Sequence, residues 1–292
     1  MNTINTRTTR TGIRFFDSAL MREVSLKDGK PIVLVHGLGA SLDVWAGVIP
    51  QLAPKYRVLA FDIPGFGDSP APTGRFTLQS VADATAEFIR NANAHQCLIV
   101  GHSLGGILAL KIAKESPDLV SRIALVSGPL LTVEAVLTHL KDALSHPKIA
   151  AVLFAQFAEG ALISSPAIAA AIARNRIART LVLSPYISSP DSIDPDLLAG
   201  AVSRVSVRSS INVCRVLSAV KDVGLAQIMR GVRCPAVIVW GDADPLVTAA
   251  DVSAAERLLH LEGRHMLERC GHWPPLEQTN KLSQIIGAES LR

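Results

Sequence analysis

Ser103 stands between two glycines in Gly101-His102-Ser103-Leu104-Gly105, where the apolar run "QCLIVG" (Gln96–Gly101) gives way to the helical pattern "LGGILALKIAKESP". A serine hydroxyl is a weak nucleophile until a base takes its proton. Downstream, "VIVWGDADPLV" ends an apolar run with acids at Asp242 and Asp244, and "RCGHWPPLE" puts His272 in a turn after the last strand-like segment. A serine, a carboxylate and a histidine, each at the end of its own apolar run, could together perform nucleophilic attack on a carbonyl. The glycine–serine triplet alone arises by chance in roughly one chain in ten of this length at average residue usage. Its position gives it weight. A serine exposed on a tight strand-to-helix turn needs small flanking residues, and the helix start offers free N–H groups to a developing oxyanion.

The elements that must hold these residues read as a parallel α/β sheet. Apolar runs without alternation occur at Pro31–Gly37, Tyr56–Asp62, Gln96–Gly101, Arg122–Gly128 and Pro235–Gly241, with a sixth candidate at Gly263–Gly271. Both faces of such strands are covered. Helical patterns at Thr77–Ala92, after Ser103 and at Thr248–Leu261 separate them. "GIRFFDSALMREVSL" is a candidate for an initial hairpin, and the polar start "MNTINTRTTRTG" reads as a loose tail. The spacing breaks once, between Gly128 and Cys234. That stretch, rich in Ala, Leu, Ile, Ser and Arg, is expected to be an inserted group of helices forming a lid above the strand ends. The expected organisation is a core over 1–129 and 233–292, with a helical cap over 130–232.

At these residues the chain resembles the α/β-hydrolase family. The resemblance rests on "HGLG" (His36–Gly39), "DIPGFGDS" (Asp62–Ser69), "GHSLGG" (Gly101–Gly106), "GDADPLV" (Gly241–Val247) and "GHWPPLEQ" (Gly271–Gln278), five motifs in one order that together span most of the chain outside the insertion. It implies an eight-stranded, mostly parallel sheet flanked by helices, a helical cap, and a Ser–His–Asp triad with no metal or organic cofactor. Carried over position by position, Ser103 is the nucleophile, His272 the general base and then acid, and Asp244 the acid that orients His272. In the family pattern the acid lies three residues after the glycine, which selects Asp244 over Asp242. The oxyanion hole implied uses the backbone N–H groups of Leu38 and Leu104, whose side chains are also candidates to line the pocket.

The remaining histidines, His95, His139, His146, His260 and His265, show no metal-ligand spacing. His36 and His102 read as positioning residues for the oxyanion loop and the serine turn. Asp68 and Ser69 read as holding their loop. Trp273, beside the base, is the candidate substrate contact, and the cap's arginines (Arg174, Arg176, Arg179, Arg204, Arg208, Arg215) read as a solvated helix face.

Bulk properties narrow the function classes. The 292 residues are 49% hydrophobic and 18% charged with a formal net charge of +4, so a large core forms and nucleic acid is a poor partner. Four cysteines without a CxxC pair argue against a zinc or disulfide scaffold and fit a reducing, cytoplasmic setting. No apolar run approaches the ~18 residues of a membrane span, and the start carries no signal-peptide pattern. The expected activity is cleavage of a small to medium, largely apolar ester or lactone through an acyl-enzyme. Hydrolysis of a carbon–carbon bond in a ring-cleavage-type diketone is the alternative enzyme reading. A ligand receptor that signals through lid movement is the non-enzymatic one. The oligomeric state is not encoded in any of these features.

Overall fold

Every residue of the "IVLV" run at Ile32–Val35 is fully buried, because successive strand side chains point to opposite faces and both faces are covered. The computed structural model describes residues 4–20, 29–37, 39–162, 165–204, 211–212, 215–216 and 224–292. Eight strands form one sheet: β1 (Arg7–Thr8), β2 (Arg14–Asp17), β3 (Ile32–Val35), β4 (Val58–Phe61), β5 (Cys97–His102), β6 (Val120–Val126), β7 (Ala236–Gly241) and β8 (Leu261–Leu267). Their order is β1-β2-β4-β3-β5-β6-β7-β8. β2 runs antiparallel to β1 and β4, and the remaining pairs are parallel.

The alternation sorts the core into two layers. Ile32, Leu34, Leu98, Val100, Val237 and Val239 share one cluster with Trp45, with helix α1 (Ile49–Leu52) and with the helices that follow β6. Val33, Val35, Ile99, Ile123 and Ile238 share the other with helices α2 (Leu78–Asn91) and α3 (Leu104–Glu115). Each fully buried side chain of this size contributes about 1.5–3 kcal/mol. Thr77 caps α2 in a reciprocal capping box with Ser80, matching the helix start read from the sequence.

Several strand boundaries differ from the sequence reading. β6 ends at Val126 and β8 at Leu267, not at Gly128 and Gly271, because Ser127 and Arg269 adopt left-handed φ of 52° that a strand cannot continue. β8 also alternates between exposed and half-buried residues, as a strand on the sheet edge does. The polar start is not a loose tail. Arg7–Thr8 pairs with Arg14–Phe15 across a turn in which Gly12 has φ 89°.

Between β6 and β7 the described elements are helices joined by short loops, among them α4 (Leu131–Thr138), α5 (Leu140–Ser145), α6 (Pro147–Leu162), α7 (Pro166–Arg174), α8 (Arg176–Leu183), α9 (Pro195–Val202) and α10 (Leu225–Arg230). Their buried residues Val133, Ile149, Ala173, Leu183 and Leu198 join the first core cluster. Among the described residues no helix is long and apolar enough to cross a membrane.

Candidate active site

Ser103 joins β5 to α3 in a conformation that L-residues seldom adopt, φ 53° and ψ −119°. Such a conformation costs of order 1–3 kcal/mol and persists only when its surroundings enforce it. Here the Ser103 N–H donates to the Val126 carbonyl at 2.8 Å, and the Ser103 carbonyl accepts from Gly106 at 2.9 Å. The flanking glycines are required by close approach. A Cβ on Gly105 would lie 2.5 Å from the carbonyl oxygens of Val35 and His36, and one on Gly101 would overlap the Gly105 carbonyl. Leu104, the first residue of α3, has no intrahelical acceptor for its N–H.

The structure brings Ser103, His272 and Asp244 together. His272 Nδ1 lies 2.9 and 3.0 Å from the two carboxylate oxygens of Asp244, and His272 Nε2 lies 3.0 Å from Ser103 Oγ. A carboxylate can only accept, so Nδ1 carries the imidazole proton and Nε2 is free to accept from the Ser103 hydroxyl. His272 and Asp244 are buried. Burial alone would raise the Asp244 carboxyl, but the neighbouring His272 and the Leu246 N–H outweigh it and hold it below the usual carboxylate range. Asp242 points elsewhere. It is exposed and accepts from the Cys270 N–H at 3.1 Å, anchoring the loop that leads to His272.

His36 and His102 brace the surroundings. The buried His36 ring donates from Nδ1 to the Gly37 carbonyl at 2.8 Å and accepts from the Ile63 N–H at Nε2 at 2.9 Å. Burial lowers its pKa. His102 Nε2 donates to the His272 carbonyl at 2.7 Å. Burial, with the neighbouring His272 adding to it, pushes His102 down to about 3, so it stays neutral. Among the described residues no group of three or more His, Cys, Asp or Glu is placed to hold a metal ion.

Three further expected site features are Leu38, the Leu104 side chain and Trp273. Leu38 lies outside the described residues. The Leu104 side chain is buried in the second core cluster. Trp273 is half-buried, its ring stacked on Tyr186 at 6.4 Å and edge-on to His102 at 6.2 Å.

Of the insertion's arginines, Arg174, Arg176 and Arg215 are exposed, as on a solvated face, Arg204 is half-buried and Arg179 is buried. Arg174 pairs with Asp196, Arg176 with Asp191, and Arg204 with both Asp43 and Asp68 at 2.6 Å. Arg179 is buried and donates to the Ala173 carbonyl. Arg215 donates to Asn212, and Arg208 lies outside the described residues. Asp43 in turn takes two bonds from Arg14, at 2.8 and 2.9 Å. Ser69 accepts from the Arg14 N–H, and Asp68 donates its N–H to Asp62, which holds their loop in place. Two contacts to the His272 loop carried no sequence signal: the Tyr186 carbonyl on the His272 N–H at 2.7 Å, and the Glu277 carboxylate on the flanking N–H groups. Neither a backbone carbonyl nor a lone glutamate makes a pattern.

Comparison with known proteins bears on the family and the fold. A family model described as the alpha/beta hydrolase fold matches residues 30–279. A pimeloyl-[acyl-carrier protein] methyl ester esterase of Methylococcus capsulatus is 28% identical over 262 residues, 88% of this chain and 93% of that protein. An (E)-2-((N-methylformamido)methylene)succinate hydrolase of Acinetobacter baylyi is 34% identical over 101 residues; the match covers 35% of this chain and 38% of that protein. Among solved structures, a serine hydrolase involved in carbazole degradation superposes with a TM-score of 0.70 at 21% identity, covering 98% of this chain and 99% of that one.

Proposed function

This chain belongs to the alpha/beta hydrolase fold family, and from that premise we propose that it is a serine hydrolase acting on a carboxylic ester or lactone. The observation that carries the reading is the continuous line from Asp244 through His272 to Ser103, at 2.9 and 3.0 Å, ending on a serine held at positive φ.

In this mechanism the Ser103 Oγ attacks the substrate carbonyl carbon while His272 Nε2 takes the hydroxyl proton. Asp244 keeps Nδ1 protonated and stabilises the imidazolium. The carbonyl's electron pair moves onto oxygen, where the Leu104 N–H and the Leu38 N–H receive it. The intermediate collapses to the acyl-serine, and the leaving alkoxide takes the proton from His272. A water then gives its proton to His272 and attacks the acyl carbon; as that intermediate collapses, the departing Ser103 Oγ takes the proton from His272 and the acid is released.

The residues 130–232 serve in this reading as a cap over the carboxyl ends of the strands. Arg174, Arg176 and Arg204 are already paired with aspartates, which favours an uncharged, largely apolar substrate over an acidic one. The esterase relative at 28% identity supports ester chemistry. Ser103→Ala is expected to abolish hydrolysis of an activated aryl ester and labelling by a serine-directed phosphonate, with the fold intact by circular dichroism. Undiminished turnover in that variant would sink the mechanism. A substrate panel of aryl esters, lactones and a dienoic diketone settles the bond type; turnover of the diketone alone would move the reading to carbon–carbon bond hydrolysis.

A further inference from the structure

The backbone around His272 is held at every polar group the structure accounts for. The His272 N–H donates to the Tyr186 carbonyl at 2.7 Å, and the His272 carbonyl accepts from His102 Nε2 at 2.7 Å. The Trp273 carbonyl accepts from Leu276 and Glu277 N–H groups at 2.9 and 3.0 Å. The two N–H groups on either side of His272 converge on a single side chain. Gly271 N–H donates to Glu277 Oε2 at 2.8 Å and Trp273 N–H to Glu277 Oε1 at 3.0 Å. The same Oε2 accepts a third N–H, that of Ser188, at 2.8 Å. Ser188 belongs to the insertion, two residues after the Tyr186 whose carbonyl holds His272.

We propose that Glu277 is a positioning residue: its carboxylate fixes the His272 imidazole through the peptide on both sides of it and ties the Tyr186–Ser188 segment of the insertion to that loop. The proposal rests on the serine-hydrolase reading for its kinetic consequences, though the hold on His272 is a matter of geometry alone. The local sequence makes the carboxylate necessary. Pro274 and Pro275 supply no N–H, and Trp273, at the cap position of the Pro274–Glu277 helix, makes no side-chain capping bond. Glu277 reaches back four residues to satisfy the Trp273 N–H instead. The approach is close enough that a Cβ on Gly271 would overlap the Tyr186 carbonyl. Burial raises the Glu277 carboxyl, the three N–H donors oppose that rise, and the nearby Asp244 charge adds to it. A bare surface glutamate would not tolerate this setting; one that receives three N–H bonds does.

A carboxamide cannot do the same work. Glu277→Gln can keep its oxygen toward Gly271 and Ser188, but its NH₂ then faces the Trp273 N–H, donor against donor. The base loop shifts on one side of His272 only. A displacement near 1 Å costs up to ~10²-fold in rate.

The test uses the full chain as wild type, Glu277→Gln and Glu277→Asp. Three readouts are taken: kcat and KM for p-nitrophenyl butyrate, the rate of phosphonate labelling, and the low-field proton resonance of the Asp244–His272 hydrogen bond. In folded Glu277→Gln, kcat and the labelling rate are expected to fall together by about 10- to 100-fold, with KM within about twofold, and the resonance to shift or broaden. A residue that only stabilises the fold would lower the melting temperature and leave kcat and the resonance of the folded fraction unchanged, and that result overturns the proposal. Should Glu277→Gln not fold, Glu277→Asp keeps the charge but falls one methylene short of spanning both sides; full kcat with an unmoved resonance there overturns it equally. If Ser103→Ala retained activity, the hydrolase reading would fall, while the resonance would still report whether Glu277 holds His272.

Discussion

Replacing Asp244 with asparagine separates charge from geometry at the candidate site. Asp244 Oδ1 accepts the Leu246 N–H at 2.9 Å and the Val247 N–H at 3.3 Å, as well as facing His272. In Asp244→Asn those two backbone donors hold the amide oxygen at the Oδ1 position. The NH₂ must then occupy the Oδ2 position, 3.0 Å from His272 Nδ1. An NH₂ only donates, so at Oδ2 it opposes the Nδ1–H, which Oδ1 still accepts at 2.9 Å, and the conflict is relieved when Nδ1 becomes the acceptor and the imidazole proton moves to Nε2. Nε2 can then no longer take the Ser103 proton. The loss expected when a triad carboxylate is turned into an amide in this way is about 10⁴-fold in kcat, or ~5.5 kcal/mol of transition-state stabilisation. The two backbone donors stay satisfied, so the variant folds. The assay is kcat for an activated aryl ester at neutral pH, beside Ser103→Ala as the floor and with a thermal melt of each. The Asp244 carboxyl sits below its ordinary range, so its charge contributes stability at neutral pH that is lost as pH falls from the ordinary carboxylate range through that lowered value. A kcat for Asp244→Asn within tenfold of wild type would refute the tautomer argument and, with it, the assignment of Asp244 as the orienting acid.

Two further outcomes follow from the same geometry. Gly105→Ala places a Cβ 2.5 Å from two backbone carbonyl oxygens that cannot swing away, so the variant is expected to be insoluble or to lose several kcal/mol, about the scale of a severe core substitution; a melting temperature near wild type would show that the turn is looser than drawn. His102 has an ordinary value of 6.5 lowered to about 3 by burial, so the unfolded chain binds a proton that the folded chain refuses, and stability falls as pH drops below 6.5. Between neutral pH and pH 4.5 this one group removes about 2–3 kcal/mol. His102→Gln, which keeps a donor toward the His272 carbonyl, is expected to flatten that part of the acid limb in urea titrations, and an unchanged slope would count against a buried neutral His102.

Most of the sheet was legible because its strands are apolar on both faces. "IVLV" and "CLIV" have few other places to go in a chain that buries two layers. The serine turn was legible for a different reason, since Gly101 and Gly105 are demanded by backbone contacts on either side of Ser103. What the sequence left open follows a physical division. Side chains announce themselves by type, whereas the contacts that aim them are made largely by backbone groups of distant segments: Val126 on Ser103, Tyr186 on His272, Cys270 on Asp242. The choice between Asp242 and Asp244 is of this kind. Both are aspartates after the same strand; the family resemblance selects Asp244 by its distance from the glycine, and the return of the Cys270 loop, which takes up Asp242, is the physical difference between them.

The misread strand ends have one cause. Reading glycine as the residue that allows a left-handed turn put the ends of β6 and β8 at Gly128 and Gly271, and counted Gln96 as the first residue of β5. The chain instead makes those turns at Ser127, Arg269 and Gln96, with φ of 52°, 52° and 51°. Asn93 at 52° and Ser103 at 53° complete the series among the described residues. Glycine would take any of these conformations at no steric cost, so the presence of side chains there needs a reason. For Ser103 the proposed nucleophile is that reason. Ser127 and Arg269 flank the same rim, the first donating its N–H to the Val239 carbonyl beside the strand that leads to Asp244, the second one residue before the Cys270 N–H that Asp242 holds. Ser103 and Ser127 lie where β5 and β6 end and Arg269 follows β8, on segments that carry or brace Ser103, Asp244 and His272, whereas Asn93 and Gln96 turn the chain into the start of β5 at the other end of the sheet. A sheet edge organised in this way yields stability in order to fix the direction in which a few side chains point.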